Sequence, residues 1–299
     1  MDLATLCQGF FRPALSAGCK LAFMRKSLAV AGILGLSVCA FAQFGGNFGV
    51  GGRSRNSGPP ISRTCLVPGY GASEDARSNH KDSGFVYARV RYNMHSWWRS
   101  ETPEAPWHHD FPDGDTMFPT SLVRLTTVET SPESFQIVDI DSKELFKYPF
   151  IYLSEPGFLD LRPADVKNLK EYFDRGGFLL MDDFRGNASD RTHWQNMEEQ
   201  MRKIFPDRQI KPVTASHQIF QTFFDVNPDG MEPPYRMQNS GDVQFFGIED
   251  SKGRIQVMID YNNDIGEFLQ ALDLGTCSLH DAGTAVELAV NYVIYSMTH

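Results

Sequence analysis

The sequence predicts an α/β domain built around a mostly parallel β-sheet, and two observations lead to this class. Residues 178–181 form a short apolar run that follows two glycines and ends at Asp182 and Asp183. Such a run is typical of a strand buried on both faces of a parallel sheet. Similar runs alternate along the chain with helical segments, which indicates right-handed βαβ units. Because ligands of such sheets bind beyond the carboxyl ends of the strands, Asp182 and Asp183 mark the expected site.

The first half of the domain is predicted to contain three strands and one helix. Residues 85–92 have the β-branched and aromatic character of a strand. A long loop rich in aromatic residues and histidines, residues 93–119, follows this strand, and long loops in compact domains are often functional. A helix should then begin at Thr120, and residues 135–141 and 150–153 should form the next two strands.

The second half is predicted to contain helices on both sides of the buried strand. The helix at residues 163–173 has a proline in its first turn and a glycine just past its end. A second helix is expected from residue 191 to about residue 205, where a proline stops it. Strands at residues 243–248 and 255–260 precede a final helix that starts at Asp281.

The segment before the domain has the organisation of an export signal and a linker. A basic stretch precedes the apolar residues 27–39, and residues 40–42 supply the small side chains of a cleavage site. We therefore predict a leader and signal peptide at residues 1–42, a Gly/Ser/Pro-rich flexible tether at residues 43–83 and a single domain at residues 84–299. The mature protein is expected to be periplasmic or secreted.

Several features of the exported chain leave alternatives open. Met24 is a second candidate for the start of translation, and residues 36–39 resemble a lipidation box that ends at Cys39. The mature chain contains no apolar stretch of the ~20 residues that a membrane-spanning helix needs. Cys65 and Cys277 remain after cleavage at residue 42, and they either form one disulfide or stay as two thiols.

Composition and missing motifs exclude several classes of function. A net charge of -9 and a pI near 5.4 disfavour a nucleic-acid partner, because phosphates reward clusters of Lys and Arg. The chain contains no Gly-x-Cys-x-Gly, no Gly-x-Ser-x-Gly, no Walker lysine loop and no His-Glu-x-x-His helix. Thiol hydrolases, serine hydrolases, P-loop nucleotide hydrolases and zincin proteases are therefore disfavoured.

Acids, amides and a histidine follow the predicted strands and form the candidate site. Converging carboxylates can hold a divalent cation or place an acid and a base beside a scissile bond. The catalytic candidates are Asp182, Asp183 and His217. The ligand-binding candidates are Asp110, Glu155, Asp183, Asn262 and Asp264. The cofactor is unknown, and no metal site is assigned because no second Cys or His pair at zinc spacing accompanies residues 108–109.

Each candidate also has a structural interpretation. Successive residues of a strand point to opposite faces, so at most one of Asp182 and Asp183 should face a ligand. The other is expected to accept hydrogen bonds from loop amides. His217 is typical of a hydrogen-bonded anchor in a loop, and Asp264 and Glu267 are placed to cap a short helix at the electropositive amino end.

The residues from 84 to 299 resemble a bacterial family known as domain of unknown function 4159. The matching segments, in chain order, are residues 107–112, 148–152, 176–183, 204–207, 216–220, 263–266 and 289–292. The resemblance implies export and a flavodoxin-like fold, similar to class I glutamine amidotransferases, with a mostly parallel sheet and helices on both faces. Ser216 stands where the family pattern has an Asp, which weakens an Asp-His pair at His217. The family implies no activity.

Two functions of different classes are consistent with these residues. The leading hypothesis is a non-catalytic or divergent domain of the cell envelope that binds a polar small molecule, a sugar or an envelope protein. The alternative is a carboxylate-dependent hydrolase acting on an envelope glycan or another extracellular substrate. Trp97, Trp98 and Trp107 either stack on a sugar ring or fold back to bury their own faces. The sequence does not decide whether the domain is catalytic.

Overall fold

The computed structural model of the protein describes residues 62–63, 84–95, 105–237 and 240–299. The predicted signal peptide, the lipidation box, Met24 and nearly all of the tether lie outside these residues. Cys65, Trp97 and Trp98 also lie outside them. The strands within the described residues are β1 (Ser62–Arg63), β2 (Phe85–Arg91), β3 (Thr130–Asp139), β4 (Phe150–Ser154), β5 (Phe178–Phe184), β6 (Lys211–Pro212), β7 (Tyr235–Arg236), β8 (Gln244–Glu249) and β9 (Ile255–Tyr261).

Seven of these strands form one mixed sheet in the order β3-β2-β4-β5-β9-β8-β6. The strands from β3 to β9 in this order pair in parallel, whereas β8 is antiparallel to β9 and β6 is antiparallel to β8. Strand β3 pairs with one edge of β2, and the next strand along the chain, β4, pairs with the opposite edge of β2. The order of the strands therefore reverses between β2 and β4. The prediction of an α/β domain with a mostly parallel sheet is confirmed.

Helices cover both faces of the sheet. They are α1 (Asp113–Leu125), α2 (Pro163–Asp174), α3 (Thr192–Ile204), α4 (Ile265–Gln270) and α5 (Leu279–Thr298). The side chains of β5 alternate between the faces, so that Phe178 and Leu180 join an apolar cluster with α1, α4 and α5. Leu179 and Met181 join the cluster with α2 and α3. All residues of β5 are buried, which explains its continuous apolar sequence. Among the described helices, none has the length and apolar character needed to cross a bilayer.

Helix α1 begins earlier than the sequence predicts. It starts at Asp113 and contains Pro119, whereas we expected the loop to continue through this proline and the helix to start at Thr120. A proline inside a helix removes one backbone hydrogen bond, so it is a reasonable but fallible boundary signal. Asp113 and Asp115 in the first turn favour the observed start electrostatically. The loop after β2 is correspondingly shorter than predicted.

Cys277 is disulfide-bonded, and its partner lies outside the described residues. The side chain packs against the apolar cluster of α1, α4 and α5. A disulfide that involves Cys277 agrees with one of the two sequence alternatives. The pairing with Cys65 stays a prediction.

A buried ion pair joins β2 to α1 beneath the carboxyl edge of the sheet. Arg89 and Asp115 have no exposed surface, and their closest atoms, Nη2 and Oδ2, are 2.7 Å apart. The Arg89 Nε donates to both Asp115 oxygens at 2.9 and 3.0 Å. The guanidinium also lies 4.8 Å from the centroid of the Tyr152 ring. Burial lowers the pKa of Arg89, but the Asp115 carboxylate more than offsets this and holds that pKa above its usual value.

We expect the substitution Arg89→Met to destabilise the domain by about 3–5 kcal/mol, because it leaves the Asp115 charge buried without a partner. Arg91 provides a matched control on the same strand, because its ion pair with Asp139 is about half exposed. Arg91→Met should cost only about 0–1 kcal/mol. Urea unfolding of both variants measures the difference, and equal losses would contradict the importance of the buried pair.

Candidate functional site

The candidate site lies at the carboxyl ends of β2, β4, β5 and β9. The loop after β2 supplies His109 and Asp110, and the carboxyl end of β5 supplies Asp183. Asp264 is the N-cap residue of α4. One potential ligand atom from each of these side chains lies within 4.8 Å of those of the other three. The structure therefore brings residues from three distant parts of the sequence to one point on the sheet edge.

Asp183 is the centre of this group. Its Oδ2 atom lies 2.5 Å from His109 Nδ1, and its Oδ1 atom lies 2.7 Å from Arg185 Nη2 in an ion pair. The hydroxyl of Ser154 donates to Oδ2 at 3.5 Å. Burial raises the pKa of Asp183, but the charges of Arg185 and His109 more than compensate and lower it below its usual range. The carboxylate of Asp183 is therefore ionised at neutral pH.

Asp182 has a different environment from its neighbour. Its Oδ2 atom accepts hydrogen bonds from the backbone amides of Ile265 at 2.7 Å and Gly266 at 3.2 Å. The hydroxyl of Tyr152 donates to the same oxygen at 3.3 Å. Burial, with the Asp183 charge, raises the pKa of Asp182 to about 7. Asp182 thus attaches β5 to the start of α4, which is the structural role that the sequence left open for one of the two acids.

Asp264 and Arg185 connect α4 to β5. Asp264 caps α4, because its Oδ1 atom accepts a hydrogen bond from the Glu267 amide at 2.8 Å. Its Oδ2 atom accepts a hydrogen bond from Arg185 Nη2 at 3.0 Å. The Arg185 guanidinium also lies 4.2 Å from the centroid of the Tyr235 ring. The same guanidinium nitrogen therefore holds the carboxylates of Asp183 and Asp264 side by side.

Asp110 is buried without a hydrogen bond. Its side chain has no exposed surface, and neither Oδ1 nor Oδ2 has a hydrogen-bond partner. The nearest cation is His109, whose Nδ1 lies 3.7 Å from Asp110 Oδ2. Burial raises the pKa of Asp110 to about 8. Gly266 makes this position possible, because a Cβ atom there would lie 2.4 Å from Asp110 Oδ2.

The backbone around the site adopts left-handed conformations that L residues rarely use. Among the described residues, the non-glycine positions with positive φ are Asp110 at 61°, Glu155 at 52°, Asp183 at 58° and Asn262 at 59°. All of these residues follow or end strands at the carboxyl edge of the sheet. Each such conformation costs on the order of 1–3 kcal/mol, and strained backbone of this kind concentrates at functional sites. Every one of them is also a ligand-binding candidate of the sequence analysis.

Glu155 and Asn262 lie at the border of the site. Glu155 follows β4 and is partly buried, and burial together with the Asp183 charge raises its pKa to about 8. Asn262 follows β9, and its Oδ1 atom accepts a hydrogen bond from the Gly186 amide at 2.9 Å. Its Nδ2 atom donates to the Asp242 carbonyl at 3.1 Å. Asn262 therefore holds neighbouring loops together rather than facing a ligand.

His217 is not part of this site, which corrects the prediction that it works with Asp182 or Asp183. Its ring lies 6.3 Å from the ring of Tyr295, whose hydroxyl accepts a hydrogen bond from the amide of Ile255, the first residue of β9. His217 therefore lies near the amino ends of the strands. A strand advances about 3.3 Å per residue, so the length of the sheet separates His217 from the acids. Its Nδ1 accepts a hydrogen bond from the Ile219 amide and caps a short 3₁₀ helix.

The described part of the aromatic loop before α1 contributes His109 to the site and packs other ring side chains against one another. His108 is buried between Trp107 and Phe111, with ring centroids 5.0 and 4.8 Å away. Trp107 packs against the cluster of α2 and α3 and lies 5.9 Å from the Arg91 guanidinium. His109 alone turns towards the acids. These contacts favour the structural interpretation for Trp107.

Sequence reasoning did not place His109 and Arg185 among the site residues. Arg185 stands two positions after Asp183, at the end of a buried strand. A cation so close to a pair of buried acids is a signal that could have identified it. His109 could have been identified by its position directly before Asp110. The sequence does not show which of the adjacent residues His108 and His109 contacts the acids, and in the structure it is His109.

The fold and the site together define a class: an α/β domain with a buried acidic site at the carboxyl edge of its parallel strands. A family model described as "Domain of unknown function (DUF4159)" matches residues 86–297. The match covers more than half of the chain, so the chain belongs to this family. No curated protein matches the chain.

We expect the stability of the domain to fall as the pH rises above about 4, in part because of Asp260. This buried residue of β9 accepts hydrogen bonds from the Tyr292 hydroxyl at 3.1 and 3.2 Å, and burial raises its pKa well above the usual value. The unfolded chain ionises this acid near pH 4, whereas the native domain still binds its proton, so raising the pH favours unfolding. Thermal melts of the wild type and Asp260→Asn at several pH values test this. A pH dependence that Asp260→Asn leaves unchanged would contradict it.

Gly266→Ala should destabilise the domain by roughly 1–3 kcal/mol, because the new methyl group would lie 2.4 Å from Asp110 Oδ2 and 2.9 Å from the Tyr152 hydroxyl. Gly283 of α5 is the matched control, because a Cβ atom there meets nothing within 4 Å. Gly283→Ala should stabilise the domain by about 0.5–1 kcal/mol. Chemical denaturation of the two variants measures both changes, and a neutral Gly266→Ala would show that Asp110 can move away freely.

Proposed function

We propose that the protein is exported to the bacterial cell envelope and that its domain binds a small, positively charged ligand at the carboxyl edge of the sheet. The observation that carries this proposal is the Asp110 carboxylate, which is buried without a hydrogen bond beside other acids. A buried carboxylate without hydrogen bonds costs free energy, and a cationic ligand would offset that cost.

The balance of charge around the site supports a cationic ligand. The acids at the site are Asp110, Glu155, Asp182, Asp183, Asp264 and Glu267, of which all but Glu155 are almost fully buried. The cations in contact with them are Arg185 and His109. Acids therefore outnumber cations among these described side chains, and burial raises the pKa values of Asp110 and Glu155 to about 8 and that of Asp182 to about 7. A bound positive charge would favour the ionised forms of these acids.

The burial of the site supports a small ligand. The side chains of His109 and Arg185 retain only 17% and 13% of their exposure, and those of Asp110, Asp183 and Asp264 retain almost none. A sugar ring or a protein segment would contact a broad exposed surface, and these side chains offer little exposed area. Of the three ligand classes that the sequence suggests, this favours a polar small molecule over a sugar or an envelope protein.

The strand order supports the finer assignment to the flavodoxin-like group. Counted along the chain, the five parallel strands β2, β3, β4, β5 and β9 lie in the spatial order 2-1-3-4-5. This is the order of flavodoxin-like sheets, whose ligands bind beyond the carboxyl ends of the strands near the point where the order reverses. The candidate site lies at that edge.

Export is supported by the sequence before the domain and by one cysteine. A basic segment, an apolar run and small residues precede residue 43, as in signal peptides. The disulfide at Cys277 is typical of an oxidising compartment such as the periplasm or the cell exterior. Both features agree with a periplasmic or secreted protein.

One contact favours a second function, a hydrolase that uses an imidazole and a carboxylate. The hydrogen bond of 2.5 Å between Asp183 Oδ2 and His109 Nδ1 is the arrangement in which a carboxylate orients a general base. In this alternative His109 would activate a water molecule as a general base, and Asp183 would orient the His109 ring. Asp182 would take no part, because backbone amides and the Tyr152 hydroxyl occupy its carboxylate.

A panel of ligands distinguishes these functions. The full-length chain, produced with its own leader, is melted with divalent metal ions, polyamines, amino sugars and neutral sugars after removal of bound ions by a chelator. A ligand at about 100 times its Kd should stabilise the native state by about 2.7 kcal/mol, or roughly 5–10 °C. We expect cationic ligands to produce this shift in the wild type but not in Asp183→Asn.

Asp139→Asn is the control, because Asp139 also ends a parallel strand but forms an exposed ion pair. It should keep the full shift. The proposal is contradicted if no cationic ligand stabilises the wild type, or if both variants respond equally. Turnover of glycans or esters that Asp183→Asn and His109→Gln abolish, with unchanged melting temperature, would support the hydrolase instead.

A further inference from the structure

We propose that the cationic ligand is a divalent metal ion held by His109 Nδ1 and by carboxylate oxygens of Asp110, Asp183 and Asp264. This inference rests on the proposed function and makes its ligand specific. The four residues come from the loop after β2, the end of β5 and the cap of α4, so the ion would join three parts of the chain at the sheet edge.

The separations among the four side chains match a coordination sphere. Their potential ligand atoms lie within 4.8 Å of one another. Nitrogen and oxygen ligands bind divalent metals at about 2.0–2.3 Å, so two ligands on opposite sides of an ion are about 4.0–4.6 Å apart. The outermost of these atoms would move inward by a few tenths of an ångström, and His109 Nδ1 and Asp183 Oδ2, now 2.5 Å apart, would separate by roughly half an ångström to lie side by side on one ion.

Asp110 gives an observation independent of this clustering. Its carboxylate is fully buried, and neither oxygen has a hydrogen-bond partner. The left-handed backbone at Asp110, with φ of 61°, turns the side chain towards the other three, and Gly266 leaves the space that it occupies. A buried carboxylate without hydrogen bonds, next to an imidazole and two further carboxylates, has oxygen lone pairs that a metal ion could use.

Contacts around the four ligands hold them in place. Arg185 Nη2 contacts Asp183 Oδ1 at 2.7 Å and Asp264 Oδ2 at 3.0 Å, which leaves the opposite oxygen of Asp183 directed at His109. Ser154 donates to that same Asp183 oxygen at 3.5 Å. Partners of this kind orient metal ligands in other proteins, and their loss weakens metal binding about 10–100-fold. Arg185 is thus a positioning residue.

The donor atoms indicate the kind of metal. Three carboxylates and one imidazole form a mixed set that suits Mn²⁺, Fe²⁺ or Zn²⁺, whereas Ca²⁺ and Mg²⁺ prefer oxygen ligands alone.

Metal analysis of the full-length chain tests this inference. The chelator-treated protein is loaded with Mn²⁺ or Zn²⁺, passed over a desalting column and assayed for metal by mass spectrometry. We expect about one ion per wild-type chain. Asp110→Asn and His109→Gln should each weaken Mn²⁺ binding at least tenfold in a titration followed by electron paramagnetic resonance. Asp139→Asn and His217→Gln, which change the same residue types outside the site, should bind like the wild type.

A second measurement uses only the wild type, so it tests the inference even if the variants do not fold. The pulsed electron paramagnetic resonance spectrum of bound Mn²⁺ should contain nitrogen modulation from the His109 imidazole. The absence of bound metal, the absence of that modulation, or an equal loss in the control variants would overturn the inference. If polyamines still stabilise the wild type in that case, the proposed function stands and only the metal is wrong. If no cation of any kind binds, both fail.

Discussion

The parallel pairing of β5 with β4 and β9 is the constraint on which the site depends. Ser154 pairs with Asp182, and Phe184 pairs with Tyr261, but the register with β9 shifts between Met181 and Phe184. The shift coincides with the left-handed backbone of Asp183. Without it, Asp182 and Asp183 would simply alternate between the two faces of the sheet. With it, one carboxylate attaches α4 and the next reaches His109 and Arg185.

Two groups of buried charges in the domain are arranged in opposite ways. Arg89 and Asp115 form a closed pair, in which three hydrogen bonds join the guanidinium to the carboxylate. Asp110 lies on the loop that precedes the same helix, yet its oxygens have no hydrogen bonds. Asp115 is compensated by hydrogen bonds and an ion pair, whereas the described partner of Asp110 within ion-pair distance is His109, 3.7 Å away and not hydrogen-bonded to it. That contrast is consistent with a scaffold role for Asp115 and with the ligand-binding role proposed for Asp110.

Much of the fold follows from local patterns. The apolar run of β5 and the proline and glycine around α2 are strong signals, and both elements lie where the sequence predicts them. The start of α1 was missed because Pro119, a usual helix breaker, lies inside the helix. The match to a family of unknown function agrees with the resemblance found in the sequence, but it adds no chemistry.

The site was predictable only in part. The gathering of Asp110, Asp183 and Asp264 follows a sequence rule, because acids after parallel strands meet at one edge of the sheet, and their role in ligand binding stays a prediction. His217 was misplaced because its position in the sequence does not reveal which end of the sheet its loop covers. Arg185 was overlooked because its role depends on two carboxylates, one of them far away in the sequence, that meet only in the folded domain.

The residues with left-handed backbone conformation at the site can be replaced by glycine with little backbone strain. Glycine adopts such angles at little cost, so exchanging Asp110, Glu155, Asp183 or Asn262 for glycine would relax the main chain. Each exchange would also delete a polar side chain from the sheet edge. Stability and ligand binding would therefore favour different residues at Asp110, Glu155 and Asp183, as in other proteins that trade stability against activity. A variant with glycine at these three positions would keep the sheet but lose carboxylates on which the proposed site depends.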